Sequence, residues 1–248
     1  MKQKYKLTLS YDGTAYHGWQ RQQNGITVQE IMEDLISDIM GEDIAVTGCS
    51  RTDAGVHARK YVCSFFADTT IPADKLPFVL NTKLPPDIRA HGCMTAPEDF
   101  NARFDAVRKT YKYQILNAPF GDPFLRNYAW HYPVKLDFEK MQAACDIIRG
   151  EKDFHCFMAA GSVVKNTVRN LSELRAEKEG QLITVTASSN GFLYNMVRII
   201  VGTLVYIGNG KLGLEELAEL IDSGDRRVMG ITAPPQGLRL YDVEYEGI

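Results

Sequence analysis

The octet Arg51–Ala58 contains the residues whose types and spacing best suit a chemical role. Asp53 lies next to Ala54 and Gly55, in a connection too short, and with side chains too small, to bury a carboxylate. The small residues leave room for another molecule to approach the backbone, and Gly55 can adopt a positive φ. A carboxylate in this setting either acts on a bound molecule or fixes its own backbone in a turn. The octet alone leaves both interpretations open.

The segments on both sides of the octet favour β structure. Ile44–Thr47 and Lys60–Phe66 each predict a strand, which makes the octet their connection. Apolar and polar residues alternate along Lys4–Tyr11, and this alternation predicts another strand with one buried face. Thr27–Glu30 has the form of a capping box, and apolar residues at helical spacing continue up to Gly41, so a helix is predicted there.

The rest of the chain continues this alternation of strands and helices. Further helices are predicted at residues 76–81, 137–149, 193–207 and 214–222, and further strands at residues 88–94, 110–116, 168–177, 182–188 and 238–245. Helices interleaved with hairpin-like pairs of strands predict an α+β protein with a mostly antiparallel sheet.

Length and composition favour an intracellular globular protein. The 248 residues are 45% hydrophobic, which is enough for one large core or two moderate ones. There is neither an apolar run long enough to span a membrane nor a signal-peptide core. The five cysteines form no C-x-x-C pair, so neither a disulfide framework nor a zinc site is expected. We therefore expect a soluble, cytoplasmic protein without a metal.

The charge is unevenly distributed along the chain. The formal net charge is −3, whereas nucleic-acid binding normally needs a basic surface. Residues 211–248 hold four Lys or Arg against eight Asp or Glu, so the remaining residues have a net charge of +1. Between Asn101 and Arg126, basic side chains alternate with aromatic ones. That mixture is typical either of a solvated strand and loop or of a surface for a flipped base and its phosphates.

Several segments, the octet among them, are similar to the motifs of one family. They occur in the family's order and extend over nearly the whole chain: Tyr11–Thr14 with Gly18–Gln20, Arg51–Ala58, Phe100–Phe104, Lys109–Tyr113 and Gly191–Arg198. On these motifs the chain resembles the tRNA pseudouridine synthase A (TruA) family, whose members isomerise uridines 38, 39 and 40 in the anticodon stem and loop of tRNAs.

The resemblance implies an architecture and partners. The implied architecture is the pseudouridine synthase fold, in which two ferredoxin-like halves join their sheets around a central cleft. We place the division so that residues 1–105 hold the aspartate loop and residues 106–248 hold the tyrosine and arginine of the pocket. The implied partners are tRNA, bound through its anticodon arm, and a second copy of the chain, since a homodimer would pool two basic clefts.

The resemblance also implies roles for four residues. Pseudouridine formation breaks a glycosidic C–N bond, turns the uracil over and makes a C–C bond without net redox change, so no cofactor is required. The family's pattern makes Asp53 the catalytic nucleophile and supplies Arg198 as the cation that keeps a desolvated carboxylate ionised. Tyr111 would stack on the uracil after it has left the anticodon arm, and Arg51 would contact the RNA.

Each of these roles has a structural alternative. Tyr113 lies on the same face of its strand as Tyr111, so both could simply pack a core. Arg198 could be a surface arginine on its helix, although its apolar neighbours make an unpaired arginine costly. Arg51 could contact a phosphate, occupy the space of the extruded nucleotide or hold its loop closed. His57 has no visible partner in the sequence and stays outside the catalytic set.

Two other function classes compete with the isomerase. A catalytically silent RNA-binding module on the same fold would be favoured if the acid were absent, but Asp53 is present. A carboxylate hydrolase would need a second catalytic carboxylate or a ligand cluster, and no D-x-D or H-x-H pattern occurs. The segment Asp12–Arg21 could touch RNA or pack across the mouth of the cleft, and the sequence does not choose between them.

Overall fold

The computed structural model of the chain describes residues 2–162 and 164–247. By its internal contacts the chain forms two compact units, the first within Met1–Val107 and Arg239–Ile248 and the second within Arg108–Leu238. We describe each unit separately. The predicted halves, residues 1–105 and 106–248 with their assigned roles, stay a prediction.

Most of the regular structure is β. The strands in chain order are β1 Gln3–Tyr11, β2 Thr47–Gly48, β3 His57–Ala67, β4 Ile88–Ala96, β5 Ala106–Leu116, β6 Trp130–His131, β7 Gly150–Asp153, β8 Val168–Leu171, β9 Glu173–Glu179, β10 Leu182–Ser189 and β11 Leu238–Tyr245. The α-helices are α1 Val28–Met40, α2 Leu76–Asn81, α3 Phe138–Ile148, α4 Met196–Gly208 and α5 Leu217–Asp222. The expected α+β class with a mostly antiparallel sheet is confirmed.

In the first unit β1 is a central strand. It pairs antiparallel with β3 on one side and β4 on the other, and β2 adds to β3. β11 pairs in parallel with β3, where Arg239 lies opposite His57 and Leu240 opposite Ala58. The alternation predicted for Lys4–Tyr11 is confirmed, because every second residue of β1 from Tyr5 onward is buried.

In the second unit β10 is a central strand. It pairs antiparallel with β5 and β9, while β7 and β8 form a separate two-stranded sheet. Helix α4 is buried over most of its length. Among the described residues, none of the helices is both long enough and apolar enough to cross a membrane.

Helix α1 begins and ends where local signals place it. The Thr27 hydroxyl oxygen accepts a hydrogen bond from the Glu30 N–H at 3.3 Å, which is the N-cap contact expected of a capping box. Gly41 ends the helix with φ +70°, a left-handed conformation that glycine adopts without steric cost. The predicted helix is confirmed.

The strand predicted over Ile44–Thr47 is wrong for most of its length, since only Thr47 is in β2. The backbone of Val46 instead pairs with side chains of α1: its N–H donates to Glu33 Oε1 at 3.1 Å, and its C=O accepts from Gln29 Nε2 at 3.0 Å. Ile44 N–H likewise donates to Ser37 Oγ at 2.9 Å. Polar side chains of α1 have therefore replaced a neighbouring strand as partners of this segment.

The single strand predicted over residues 168–177 is two strands in two sheets. Leu171 pairs with Gly150 in the small sheet, whereas Glu173 pairs with Ser188 in the larger one. Leu171 and Leu174 are both buried although they are three residues apart, which one continuous strand with period-two alternation cannot achieve. The break lies at Ser172, which belongs to neither strand.

Candidate active site

The loop that carries Asp53 is a turn closed by its own backbone. It connects β2 to β3, and the Val56 N–H donates to the Asp53 C=O at 3.1 Å. Gly55 has φ +78°, as expected for a residue that lets the chain reverse there. Asp53 is partly exposed, unlike the buried residues Thr52 and Val56 of the same loop.

The segment from Asp12 to Trp19 packs directly on this loop. Trp19 N–H donates to the Thr52 C=O at 3.1 Å, and Gly55 N–H donates to the Tyr16 C=O at 3.2 Å. A Cβ on Gly18 would lie 2.4 Å from the Thr52 carbonyl oxygen, and a Cβ on Gly13 would lie 2.1 Å from that of Val56. The two backbones are therefore too close for any side chain between them. Within the first unit this segment supports the aspartate loop.

Aromatic hydroxyl groups fix the loop on both sides of Arg51. Tyr61 OH donates to the Ser50 C=O, and Tyr11 OH and Thr52 Oγ1 are hydrogen-bonded at 2.9 Å. The Tyr61 ring stacks on Trp19 with centroids 4.1 Å apart. Burial raises the pKa of Tyr61, so its hydroxyl stays protonated and can donate. These contacts hold the backbone that carries Asp53 in one conformation, and a fixed backbone is a precondition for a well-positioned catalytic group.

Tyr16 and His57 complete the support of the loop. Tyr16 OH donates to Asp87 Oδ1 at 2.5 Å, and burial together with that hydrogen bond raises the pKa of Tyr16. His57 is buried, and its Nδ1 lies 3.0 Å both from the Gly13 N–H nitrogen and from Asp12 Oδ1. The histidine therefore has partners that the sequence did not reveal, and they are the residues that pack on the loop.

Arg51 differs from its neighbours because it is exposed. Its side chain has no hydrogen-bond or ion-pair partner in the part of the chain that the structure describes. No side-chain contact therefore supports the alternative that Arg51 holds its loop closed.

Tyr111 and Tyr113 are both buried on β5, as the period-two pattern predicts, but their surroundings differ. Tyr113 is fully buried, and its hydroxyl donates to the Pro234 C=O at 2.7 Å. Burial raises the pKa of Tyr113, and the nearby positive charge of Arg198 opposes that rise. Tyr111 packs edge-on against Phe192, with ring centroids 5.0 Å apart. Tyr113 is thus a core residue, and Tyr111 lies beside the motif Gly191–Arg198.

Arg198 is anchored within the second unit. It is half-buried in the first turn of α4; its Nε donates to the Ala233 C=O at 2.7 Å and its Nη1 to Asn195 Oδ1 at 2.8 Å. The alternative of an ordinary surface arginine is therefore wrong. Asp53 and Arg51 lie together on one loop of the first unit, and Tyr111 and Arg198 both lie in the second.

Some residues of the site were missed by sequence reasoning. The motifs Tyr11–Thr14 and Gly18–Gln20 contain Gly13, Gly18 and Trp19. Their role in supporting the aspartate loop depends on contacts between segments far apart in the sequence. Phe192 and Asn195 stand in the motif Gly191–Arg198 and contact Tyr111 and Arg198. Their only signal in the sequence was membership of that motif.

No metal-binding cluster is evident among residues 2–162 and 164–247, since no group of three or more His, Cys, Asp or Glu side chains there could hold an ion. Four of the five cysteines are buried. Burial raises the pKa of the Cys145 and Cys156 thiols to about 12, which keeps both thiols protonated.

Comparison with known proteins gives consistent matches over nearly the whole chain. A family model described as tRNA pseudouridine synthase matches residues 8–105 and 144–246. A protein named tRNA pseudouridine synthase A from Thermoanaerobacter sp. strain X514 is 47% identical over 239 residues, covering 96% of this chain and 98% of the relative. One of the same name from Ruminiclostridium cellulolyticum is 46% identical over 243 residues, covering 98% and 99%.

Among solved structures, a chain from the crystal structure of a Cbf5-Nop10-Gar1 complex is similar at 12% identity and a TM-score of 0.43. The similarity covers 96% of this chain and 48% of that one.

Proposed function

This chain belongs to the tRNA pseudouridine synthase family, and from that premise we propose that it isomerises uridines 38, 39 and 40 in the anticodon stem and loop of tRNA. Membership makes the chain an isomerase that acts on tRNA. The finer assignment rests on motifs that resemble the TruA members of the family. The proposed chemistry is supported by one observation: Asp53 is a partly exposed residue on a loop that the Asp12–Trp19 segment holds in place.

In the proposed mechanism Asp53 is the nucleophile. A uridine that has left the stack places its reacting atoms against the carboxylate, and the glycosidic C–N bond breaks. The uracil turns over, and its C5 bonds to the sugar as the covalent bond between Asp53 and the nucleoside breaks. The proton on C5 is lost to solvent and N1 of the uracil takes up a proton, so the product is an isomer of uridine. A carboxylate must be ionised for this role, and we propose that Arg198 supplies the opposite charge that favours ionisation. The bonds from Arg198 to Ala233 and Asn195 support that role because they fix the guanidinium.

Tyr111 is proposed to stack on the flipped uracil, and its hydroxyl is proposed to have a minor part. We expect Tyr111→Phe to lower kcat by less than about tenfold with KM for tRNA unchanged, because the aromatic face remains. Tyr111→Leu should lose about tenfold or more in kcat/KM, because stacking is worth about 1–3 kcal/mol per base. Steady-state pseudouridine formation measures both variants. Complete inactivation of Tyr111→Phe would show that the hydroxyl, and not the ring face, is what the reaction needs.

Arg51 is proposed to contact an RNA phosphate, since its exposed side chain has no partner among the described residues. Arg51→Gln should raise KM for tRNA with little change in kcat. The slope of log KM against log salt concentration should fall by about one, because one fewer counterion is released. Arg149→Gln is the matched control, since Arg149 is an exposed arginine paired with Asp146 at 3.2 Å. An unchanged salt slope in Arg51→Gln contradicts the phosphate contact.

We also propose a homodimer in the cytoplasm, where tRNA is modified and used. Pairing two copies would bring two RNA-binding surfaces together, which helps a chain whose net charge is −3. Light scattering on the purified chain tests this directly, because a monomeric mass at working concentration contradicts the dimer.

Mapping pseudouridine in tRNA from cells that lack the chain tests the proposed substrate. We expect loss of pseudouridine at positions 38, 39 and 40 only, and its return when the wild-type chain is restored. Retention of all three modified positions, or loss at other positions instead, contradicts the assignment.

A further inference from the structure

Asn195 has an unusual backbone conformation at the start of α4. Its φ is +59°, and it is the only non-glycine residue with a positive φ within residues 2–162 and 164–247. The left-handed region is unfavourable for residues with a Cβ, although asparagine tolerates it better than most. Strained residues of this kind persist where the surrounding structure holds them, often at functional sites.

The side chain of Asn195 is not used to cap its helix. Asparagine at an N-cap commonly accepts a hydrogen bond from an N–H of the first turn, which stabilises the helix. Here the side chain makes no capping bond, and its Oδ1 accepts from Arg198 Nη1 at 2.8 Å. The strained backbone therefore turns the amide toward the guanidinium of Arg198.

A second hydrogen bond holds the same guanidinium from another side. Ala233 C=O accepts from Arg198 Nε at 2.7 Å, and Ala233 N–H donates to the backbone C=O of Arg198 at 3.0 Å. One residue thus binds both the main chain and the side chain of Arg198. The hydrogen bonds to Asn195 and to Ala233 together orient the guanidinium of Arg198.

The segment Met229–Pro234, which provides Ala233, is itself firmly attached. Gly230 packs on Gly202 of α4 so closely that a Cβ on Gly202 would lie 1.8 Å from the Ile231 carbonyl oxygen. Gly230 N–H donates to Thr203 Oγ1 at 3.0 Å, and Arg226 Nη1 donates to the Gly230 C=O at 2.9 Å. The carbonyl acceptor on Ala233 is therefore held firmly in place, and Asn195 contributes an acceptor from a side chain.

We propose that Asn195 is a positioning residue that orients the guanidinium of Arg198 for the isomerisation. This inference rests on the proposed role of Arg198. It goes beyond that role by naming Asn195 as the residue that sets the orientation of the Arg198 guanidinium. Arginine has a long side chain with many rotamers, so a free guanidinium would spend little time in one orientation. An acceptor placed by a strained backbone removes that freedom before substrate binds.

Asn195→Gly tests the proposal, because glycine relieves the backbone strain and removes only the acceptor. We expect kcat to fall by about tenfold, since a hydrogen bond to a charged group is lost. KM for tRNA should stay within about twofold, and stability to urea should be equal or higher because glycine favours a positive φ. If Asn195 serves only the fold, kcat of Asn195→Gly will be within about twofold of wild type, and that result overturns the proposal.

Two further variants separate orientation from general damage. Asn195→Asp keeps an acceptor oxygen in place and tolerates a positive φ, so it should restore kcat to within about threefold of wild type. Asn209→Gly is the matched control at the other end of α4, where the asparagine donates to Tyr132 OH at 2.6 Å, and it should leave kcat unchanged. An Asn195→Asp variant as slow as Asn195→Gly contradicts the acceptor role.

A double variant distinguishes failure of this inference from failure of the proposed function. If Asn195 acts through Arg198, adding Asn195→Gly to Arg198→Ala causes no further loss of kcat. Additive losses overturn the positioning role while leaving that of Arg198 intact. Wild-type kcat in Arg198→Ala alone contradicts the role proposed for Arg198, and the inference about Asn195 falls with it.

Discussion

Asp53→Asn lowers pseudouridine formation by at least about 10³-fold, because removing a nucleophile removes the reaction path itself. The amide has nearly the size of the carboxylate, so the loop should keep its backbone bonds to Trp19 and Tyr16. Binding of tRNA should persist, because the phosphate contacts proposed for the protein do not involve Asp53. Release of tritium from C5 of labelled uridine in tRNA measures the reaction, and filter binding measures affinity.

Asp38→Asn is the matched control for this variant. Asp38 is an exposed carboxylate that pairs with Lys83 at 2.6 Å, so the same substitution there tests for any general effect of losing an acidic side chain. Its activity should equal that of the wild type, since surface pairs contribute little. Full activity in Asp53→Asn would refute the nucleophile assignment.

Gly18→Ala both destabilises the first unit and slows the reaction. The new Cβ would lie 2.4 Å from the Thr52 carbonyl oxygen, and the position has φ +86°. We expect a loss of about 2–4 kcal/mol in the free energy of unfolding, from a backbone clash added to an unfavourable φ. Relief of the clash must move Thr52, which precedes Asp53, and a displacement near 1 Å can cost about 10²-fold in rate. Urea unfolding and kcat at low temperature measure the two effects.

Gly41→Ala separates the effect of the steric clash from the cost of placing alanine at a positive φ. Gly41 has a similar φ of +70°, but a Cβ there would meet nothing within 4 Å. Its substitution should cost only about 1 kcal/mol in the free energy of unfolding and leave kcat unchanged. Equal stability losses in the two variants would show that the close approach of Gly18 to Thr52 is unimportant.

Local signals predicted the elements that local interactions define. The N-cap at Thr27, the end of α1 at Gly41 and the alternation along β1 all depend on residues close in sequence. The strand at Leu238–Tyr245 was also predicted, but its parallel pairing with β3 was not. Pairing between segments far apart in the sequence produces no periodic pattern of residues.

The errors arose where side chains or neighbouring sheets changed the partners of the backbone. Val46 has the β-branched side chain of a strand residue, yet its backbone binds Glu33 and Gln29 of a helix. The buried residues Leu171 and Leu174, three apart, did signal a break that the strand prediction overlooked.

The residues of the candidate site were predicted mainly from the resemblance to a known family. The residues that hold them in place became visible only in the structure. Asp53, Tyr111 and Arg198 came from motifs, whereas the residues that hold them came from contacts. Gly18 is the clearest case. A glycine in the sequence does not show that a Cβ at that position would lie 2.4 Å from the Thr52 carbonyl oxygen. Asn195 is similar, because a left-handed φ at a non-glycine residue cannot be recognised from the residue type.

The parallel pairing of β11 with β3 makes the aspartate-bearing unit discontinuous in the gene. Arg239 and Leu240 join the sheet beside His57 and Ala58, immediately after the loop of Asp53, and Tyr245 OH donates to the Ala102 C=O at 2.6 Å. During synthesis on the ribosome, all of residues 108–238 must emerge before this unit can be completed. The nascent chain therefore carries its carboxylate long before it has a finished scaffold, and a fragment that stops at residue 107 lacks a strand that the unit requires.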